Sequence, residues 1–314
     1  MRGIAVLLML ALTCGGAEAR VLKIAIVGFQ MSSETHARAA NSADAAARAK
    51  GWTTTLLNSR GSIPESAAQI ETLIQAHPDA IILCMSKPTA LDAQFAAARA
   101  AGIPVVTIAS GSSPHTLFDI QANEYQVGSD ASLYLLGLMN YRGVILAERF
   151  EGNLATRIRG RELDAVLAEN PAVKLGAAHS MARTGAWQED VRAGMTALLA
   201  RERGKFQGIW ASFDGQAFVI DDLLQQAGMK KGEIPLVSAD GGQESFRRIR
   251  DPGSMLVATV AVPFELMGTK AVDAIDRIVS GGAAKESVVQ GPYMLLPSVL
   301  VDAHNVPAAG AWPW

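Results

Sequence analysis

The side chains able to do chemistry stand where apolar runs end. VLKIAIVGF closes on Phe29 and Gln30, and DAIILCMS closes on Ser86. IPVVTIASGSSPH passes from Ile103 into an uncharged loop of Ala109, Ser110, Gly111, Ser112 and Ser113. FQGIWASFDGQA puts Phe213 and Asp214 after a fourth run, and IPLVSADGG puts Asp240 after a fifth. Rings, amides, hydroxyls and carboxylates at such ends suit stacking on a small ligand and hydrogen bonding to it. Reaction chemistry is poorly supported. His36, His77, His115, His179 and His304 are scattered, without an HxxxH or HExxH metal pattern. No GxSxG elbow, P-loop or GxGxxG turn is present. SADGGQ is a glycine-bearing turn of a kind that can seat a phosphate, but one such turn does not define a site. The chain is therefore read as a binding protein and not an enzyme, with no metal and no cofactor expected.

The runs are spaced so that a parallel sheet must carry them. VLKIAIVGF, TTTLLN, DAIILCM and IPVVTIA are short, largely apolar on both sides, and separated by helical stretches. Gly51 and Gly102 stop two of these helices, Ser33 is a candidate cap, and Pro64 and Glu65 occupy a first turn. The pattern restarts after DIQANE (119–124), with strands RGVILAE, VKLGAAHS, FQGIWAS and IPLVSAD alternating with helices. SMLVATVAV (254–262), a long helix from 263 and one last strand, YMLLPSVLVD, complete the chain. The fold class is α/β, in two doubly wound parallel-sheet lobes with a ligand cleft between strand ends.

The chain has 314 residues, 49% of them hydrophobic, and a net charge of −2, so neither a nucleic-acid binder nor a disordered tail is indicated. Arg2, the apolar run Ile4–Cys14 and the small-residue pattern AEA read as an exported leader over residues 1–19, cleaved after Ala19. A lipid anchor at Cys14 is disfavoured because ALTC is a poor lipobox. Cleavage leaves Cys84, in the middle of an apolar strand, as an inert core thiol.

The pieces AARAAGIPVVTI, ATRIRGREL, AWQEDVRAGMTALLA, FDGQAFVIDDLLQQAG, LVSADGG, LVATVAVPFELMGTKAVDAI and LLPSVLVDAHNV occur in one order over residues 21–306. In that order they resemble the periplasmic sugar-binding proteins of the ribose-binding type, relatives of the ligand-binding domains of lac-repressor-like regulators. With a leader and no helix-turn-helix, the chain fits the transport or sensing branch. The resemblance implies a type I periplasmic binding protein joined by three hinge crossovers, near Ile120–Asn123, Ala261–Val262 and Gly291–Leu296. One lobe would hold 21–121 plus about 263–290, the other about 124–260 plus 291–306, with a tail over 307–314. It implies a monomer that hands a small ligand to the membrane permease of an ABC-type transporter, or docks on a sensor kinase or chemoreceptor. No nucleic acid is involved.

Site residues follow from the same resemblance. Phe29 would stack on the ligand beside Gln30, and Trp187 would close an aromatic sandwich from the second lobe. Arg157 is the candidate guanidinium, with Arg159 and Arg161 close by. Asp214 would bind ligand or cap its helix, and Asp240 would bind ligand. Two departures matter. Ala109 and Ser110 stand where the sugar binders carry an Asp-Arg pair, and Phe213 and Val262 replace an amide each. Each buried charged hydrogen bond contributes about 1.5–3 kcal/mol, so an ordinary pentose or hexose would be held weakly. The expected ligand has more apolar surface, or is a sugar in another pose that uses Gln30, Ser86, Glu148 or Glu124. The tail, with Trp312 and Trp314, is expected to pack on one lobe.

Overall fold

The structure is a computed structural model and describes residues 20–314. The leader and the Cys14 anchor lie outside them. In chain order, the first half is β1 (Lys23–Gly28), α1 (Glu34–Ala49), β2 (Thr53–Asn58), α2 (Ile63–Ala76), β3 (Ala80–Cys84), α3 (Asp92–Ala100), β4 (Val105–Ile108) and β5 (Asp119–Ala122). The second half is α4 (Glu124–Leu138), β6 (Gly143–Arg149), α5 (Leu154–Glu169), β7 (Val173–Ser180), α6 (Trp187–Arg201), β8 (Gly208–Ala211), α7 (Asp214–Gln226), β9 (Leu236–Asp240), α8 (Gln243–Arg250) and β10 (Leu256–Ala261). The chain then returns through α9 (Phe264–Ile275), β11 (Tyr293–Leu296) and β12 (Val299–Asp302).

Alternation builds each layer. In β1, Ile24 and Ile26 face one helix layer with the buried alanines of α1 and Met267 and Ala271 of α9. Ala25 and Val27 face the other, against Ile70 of α2 and Phe95 of α3. The second sheet divides in the same way, with Ile145, Ala147 and Val237 toward α4 and Leu146, Ile209 and Leu236 toward α6, α7 and α8. Sheets that are covered on both faces require runs that are apolar on both sides. Cys84 is part of this core, and burial pushes its thiol up to about 12, out of nucleophilic range.

The strand orders are β2-β1-β3-β4-β5-β11 and β7-β6-β8-β9-β10-β12. Each half thus has one doubly wound order, with its switch point beside the first strand, and the crevice at that point is where ligands meet such sheets. The chain crosses between the halves three times, after β5, after β10 and between β11 and β12. The assignment of 291–306 to the second lobe as one strand is corrected. Tyr293–Leu296 pairs parallel with β5 in the first sheet, whereas Val299–Asp302 pairs antiparallel with β10 in the second. Pro297, at the break, has no N–H with which to continue a ladder. Among the described residues no helix is long and apolar enough to cross a membrane.

Candidate functional site

The carboxyl ends of both sheets face one another across a cleft. Three cleft residues carry backbone strain: Met85, Ala109 and Asp240 have φ of 55°, 46° and 123°, in a region that side-chain-bearing residues seldom enter. The Ala109 and Asp240 positions correspond, since each follows or ends the fourth wound strand of its half.

The floor of the cleft is built around Arg159. Its guanidinium donates Nε–H to Glu124 Oε2 at 2.6 Å and Nη1–H to Asp240 Oδ1 at 2.8 Å and the Ser212 carbonyl at 3.0 Å. All three charged side chains are nearly excluded from water. Burial opposes the Arg159 charge, but Glu124 and Asp240 outweigh it and hold its pKa above the ordinary value. Burial also raises both carboxylates, with the Arg159 charge opposing. Such a group is costly to bury unless each member is paired, and removing one member leaves an uncompensated charge. Arg159 Nη2 donates to no group among the described residues, although Arg159 lines the cleft. A fixed donor is thereby presented to a ligand.

Beside this floor the second half presents three rings. Trp187 and Phe213 have centroids 5.6 Å apart, and Phe213 and Phe150 are 6.4 Å apart. Gly215 makes room for them, because a Cβ there would lie 2.8 Å from the Trp187 ring. The opposing wall, from the first half, carries Gln30, Thr35, His36, Met85, Ala109 and Phe264 and no carboxylate. Burial lowers the His36 pKa to about 4, so the ring is neutral near pH 7, and its Nδ1 is buried without a partner. The cleft divides into an inner compartment of about 100 Å³ over Arg159 and an outer one of about 380 Å³.

The predicted residues distribute unevenly over this geometry. Gln30 lines both compartments, and Trp187, Phe213 and Asp240 line the inner one. Phe29, Ser86, Ser110 and Arg157 line only the outer one. Phe29 lies 6.2 Å from His36, while the ring packed on Trp187 is Phe213, from its own half. Phe29, the expected partner of Trp187 in a sandwich, thus lines only the outer compartment, and the phenyl ring that the first half brings to the inner one is Phe264. Ser110 Oγ donates to the Ile108 carbonyl at 2.9 Å and accepts from Ser86 N at 3.2 Å, which shapes the loop.

Three assignments are corrected. Arg157 is not the buried guanidinium. It donates to the Glu151 carbonyl at 2.7 Å at the outer rim, and Arg159 occupies the floor. Asp214 neither caps α7, where Phe213 holds the N-cap position, nor offers a free oxygen. It accepts from Ser238 Oγ, Ser245 Oγ, Thr259 Oγ1 and Gly241 N, and so ties β9, β10 and α8 together. Burial, followed by the charge of Asp240, pushes it up to about 7. Val262 is fully buried, outside the cleft lining, and hydrogen-bonds through its backbone to Asp240. Glu148 also lies off the cleft, joined to His179 at 2.8 Å and Gln216 at 3.3 Å. Ser33 takes the N-cap position of α1, but its side chain makes no capping bond.

On the far side of the floor the halves are clasped. Arg38 of α1 pairs with Glu265 at 2.6 Å and 3.1 Å and donates to the Gly241 carbonyl of the second half. Its guanidinium lies 5.2 Å from the centroid of Phe264 and 4.6 Å from that of Trp312. The tail is fastened to the second half, with Trp312 against Phe246 and Gln243 bonded to Ala311 O and Gly310 N. It therefore touches both lobes and not one. Gly242 permits the approach, since a Cβ there would lie 2.5 Å from Glu34 Oε1.

Two hinged, doubly wound lobes closing on a small cleft with a charged floor and an aromatic wall define a solute-binding protein. The chain belongs to the periplasmic binding protein family: the model of a periplasmic binding protein domain matches residues 24–283. Among characterised relatives, a xylitol-binding protein of Mycolicibacterium smegmatis is 23% identical over 252 residues, 79% of this chain and 69% of that one. The ribose import binding protein RbsB of Bacillus subtilis is 23% identical over 246 residues, 77% of this chain and 76% of that one. An ABC transporter solute-binding protein from Agrobacterium vitis, solved with bound allitol, superposes with a TM-score of 0.80 at 25% identity, covering 92% of this chain and 98% of that one. Together these place the chain with the ribose-type periplasmic sugar-binding proteins.

Proposed function

We propose that the protein captures a sugar- or polyol-like molecule with one apolar face in the interlobe cleft and delivers it to the permease of an ABC-type transporter. The observation that carries this reading is the buried Arg159, oriented by Glu124 and Asp240 beside the Trp187–Phe213 wall. A ring or chain with C–H groups on one side stacks on the wall, and its hydroxyls reach Arg159 Nη2, the second oxygen of Asp240, and Gln30. Relatives named for xylitol and ribose and one holding allitol support a polyhydroxylated ligand. The neutral wall of the first half favours fewer charged contacts than a fully hydroxylated hexose would engage. No catalytic step is assigned to this cleft, because its charged groups are consumed in pairing one another.

The test is mass spectrometry of the ligand released from protein purified from its source, followed by calorimetry with that compound. A sugar or polyol derivative bound at micromolar affinity or tighter, and lost in Arg159→Ala, supports the reading. A ligand without hydroxyl groups, or affinity unchanged in Arg159→Ala, overturns it. Stimulation of a reconstituted permease and ATPase by the loaded protein checks delivery.

A further inference from the structure

The outer compartment has a chemistry that a plain sugar leaves unused. No Asp or Glu lines it. Two cations do: Lys87, on the loop after β3, and Arg157, on α5 across the cleft. Neither forms an ion pair with a carboxylate among the described residues, and the Arg157 hydrogen bond goes to a backbone carbonyl. The same compartment is lined by hydroxyl groups of Ser86, Thr89, Ser110 and Ser112. Ser86 is 6% exposed, and its Oγ is buried without a partner. A buried hydroxyl costs stability unless a partner supplies the missing hydrogen bond.

The inner compartment has the opposite character. Glu124 and Asp240 together outnumber Arg159, so an anion placed over the floor meets two carboxylates whose only counter-charge is already paired. The two compartments share Gln30, His36, Met85, Phe150, Asn153 and Thr184, so one molecule can span them. The loop that separates them is small and neutral at Ala109 and Ser110, which leaves the passage free of like charge.

We propose that the outer compartment receives an anionic substituent, so that the ligand is a sugar or polyol bearing a carboxylate, sulfate or phosphate group. The hydroxylated body lies inward on Arg159 and the anion outward between Lys87 and Arg157. The proposal rests on the interlobe cleft being the ligand site. Both cations sit at a partly solvated rim, so their attraction is screened by salt and gives a moderate preference.

The experiment is calorimetry with matched pairs, ribose against ribose 5-phosphate and glucose against glucuronate, on the wild type and the Lys87→Ala/Arg157→Ala double variant, at low and high salt. The expected result is that an anionic member binds at least tenfold tighter than its neutral parent at low salt. That advantage shrinks in high salt and disappears in the double variant. The phosphate and carboxylate arms distinguish which anion is preferred. Neutral parents that bind as tightly as their anionic partners overturn this inference and leave the proposed function standing. An anionic preference that survives the double variant also overturns it. Failure of every member of both pairs to bind overturns this inference, while the proposed function is decided separately by the ligand released from the source protein.

Discussion

The two halves of the molecule share one strand order and put the same strand ends at the cleft, yet they carry opposite chemistry there. The second half brings Arg159, Asp240 and three rings. The first answers with Ala109, Met85, a neutral His36, Gln30 and one phenyl ring, Phe264. At the corresponding end of the fourth wound strand, Asp240 grips Arg159 while Ala109 offers only a methyl group. Burial raises carboxyl groups in both halves, Glu148 and Asp214 in the second and Asp119 in the first. The difference teaches that the wound scaffold fixes where a ligand meets the protein but not how. On the proposed function, one wall would hold the ligand by charge and ring, and the other would cover it.

The comparison is broken most severely at Arg159. Arg159→Ala is expected to abolish measurable ligand binding and to cost about 3–5 kcal/mol of stability, because Glu124 and Asp240 remain buried without their cation. Calorimetry and urea denaturation check both, and a variant of wild-type stability would show that the carboxylates are not dependent on it. Giving the first wall a charge tests the other side. Ala109→Asp, with the corresponding residue of the second half, is expected to lower affinity for the ligand tenfold or more through repulsion and lost space. A gain in affinity for neutral sugars alone would mean that the wall was merely deficient in polar groups.

The third test concerns pH. Burial pushes Glu148 up to about 9 from an ordinary 4.5, so the folded state keeps a proton that the unfolded chain has released. Stability must then fall as pH rises through that window, by up to about 1.4 kcal/mol per unit for one proton. Between about pH 7 and 9, above the Asp214 range, Glu148→Gln is expected to flatten the decline, as followed by urea midpoints. An unchanged slope would place the proton elsewhere. The smallest effect is expected at the clasp. Trp312→Ala removes one face of the Arg38 sandwich, worth about 0.5–1 kcal/mol, and should weaken ligand binding about two- to fivefold through easier lobe opening. Small-angle scattering of the unliganded variant, showing a larger radius of gyration than wild type, checks it.

The windings were legible because a sheet covered on both faces demands runs such as KIAIVG and AIILC, which no other context in the chain requires. Gln30, Trp187 and Asp240 were legible for a related reason, since strand ends and the helix starts that face them converge on the cleft. Arg159 was not separable from Arg157. Residues two apart on a helix point to nearly opposite sides, so the choice depends on how α5 is rotated. That rotation is set by packing against α4, where a Cβ on Gly128 would lie 2.7 Å from the Arg159 Cα. Glu124, considered as a polar contact for the ligand, becomes the partner of Arg159 only through that same approach. Phe150 and His36 carried no local pattern to set them apart from ordinary core or helix residues.

By itself, then, the sequence determined the layers, the order in which two wound units follow one another, and the family whose wording they share. These depend on period and local chemistry, which short segments carry. Tertiary structure decided which arginine is buried, that both Asp214 oxygens are spent on tying strands together, that the last strand splits at Pro297 between two sheets, and that the tail clasps both lobes. Each of these depends on groups far apart in the chain meeting at a specific rotation and distance, and no single segment records that.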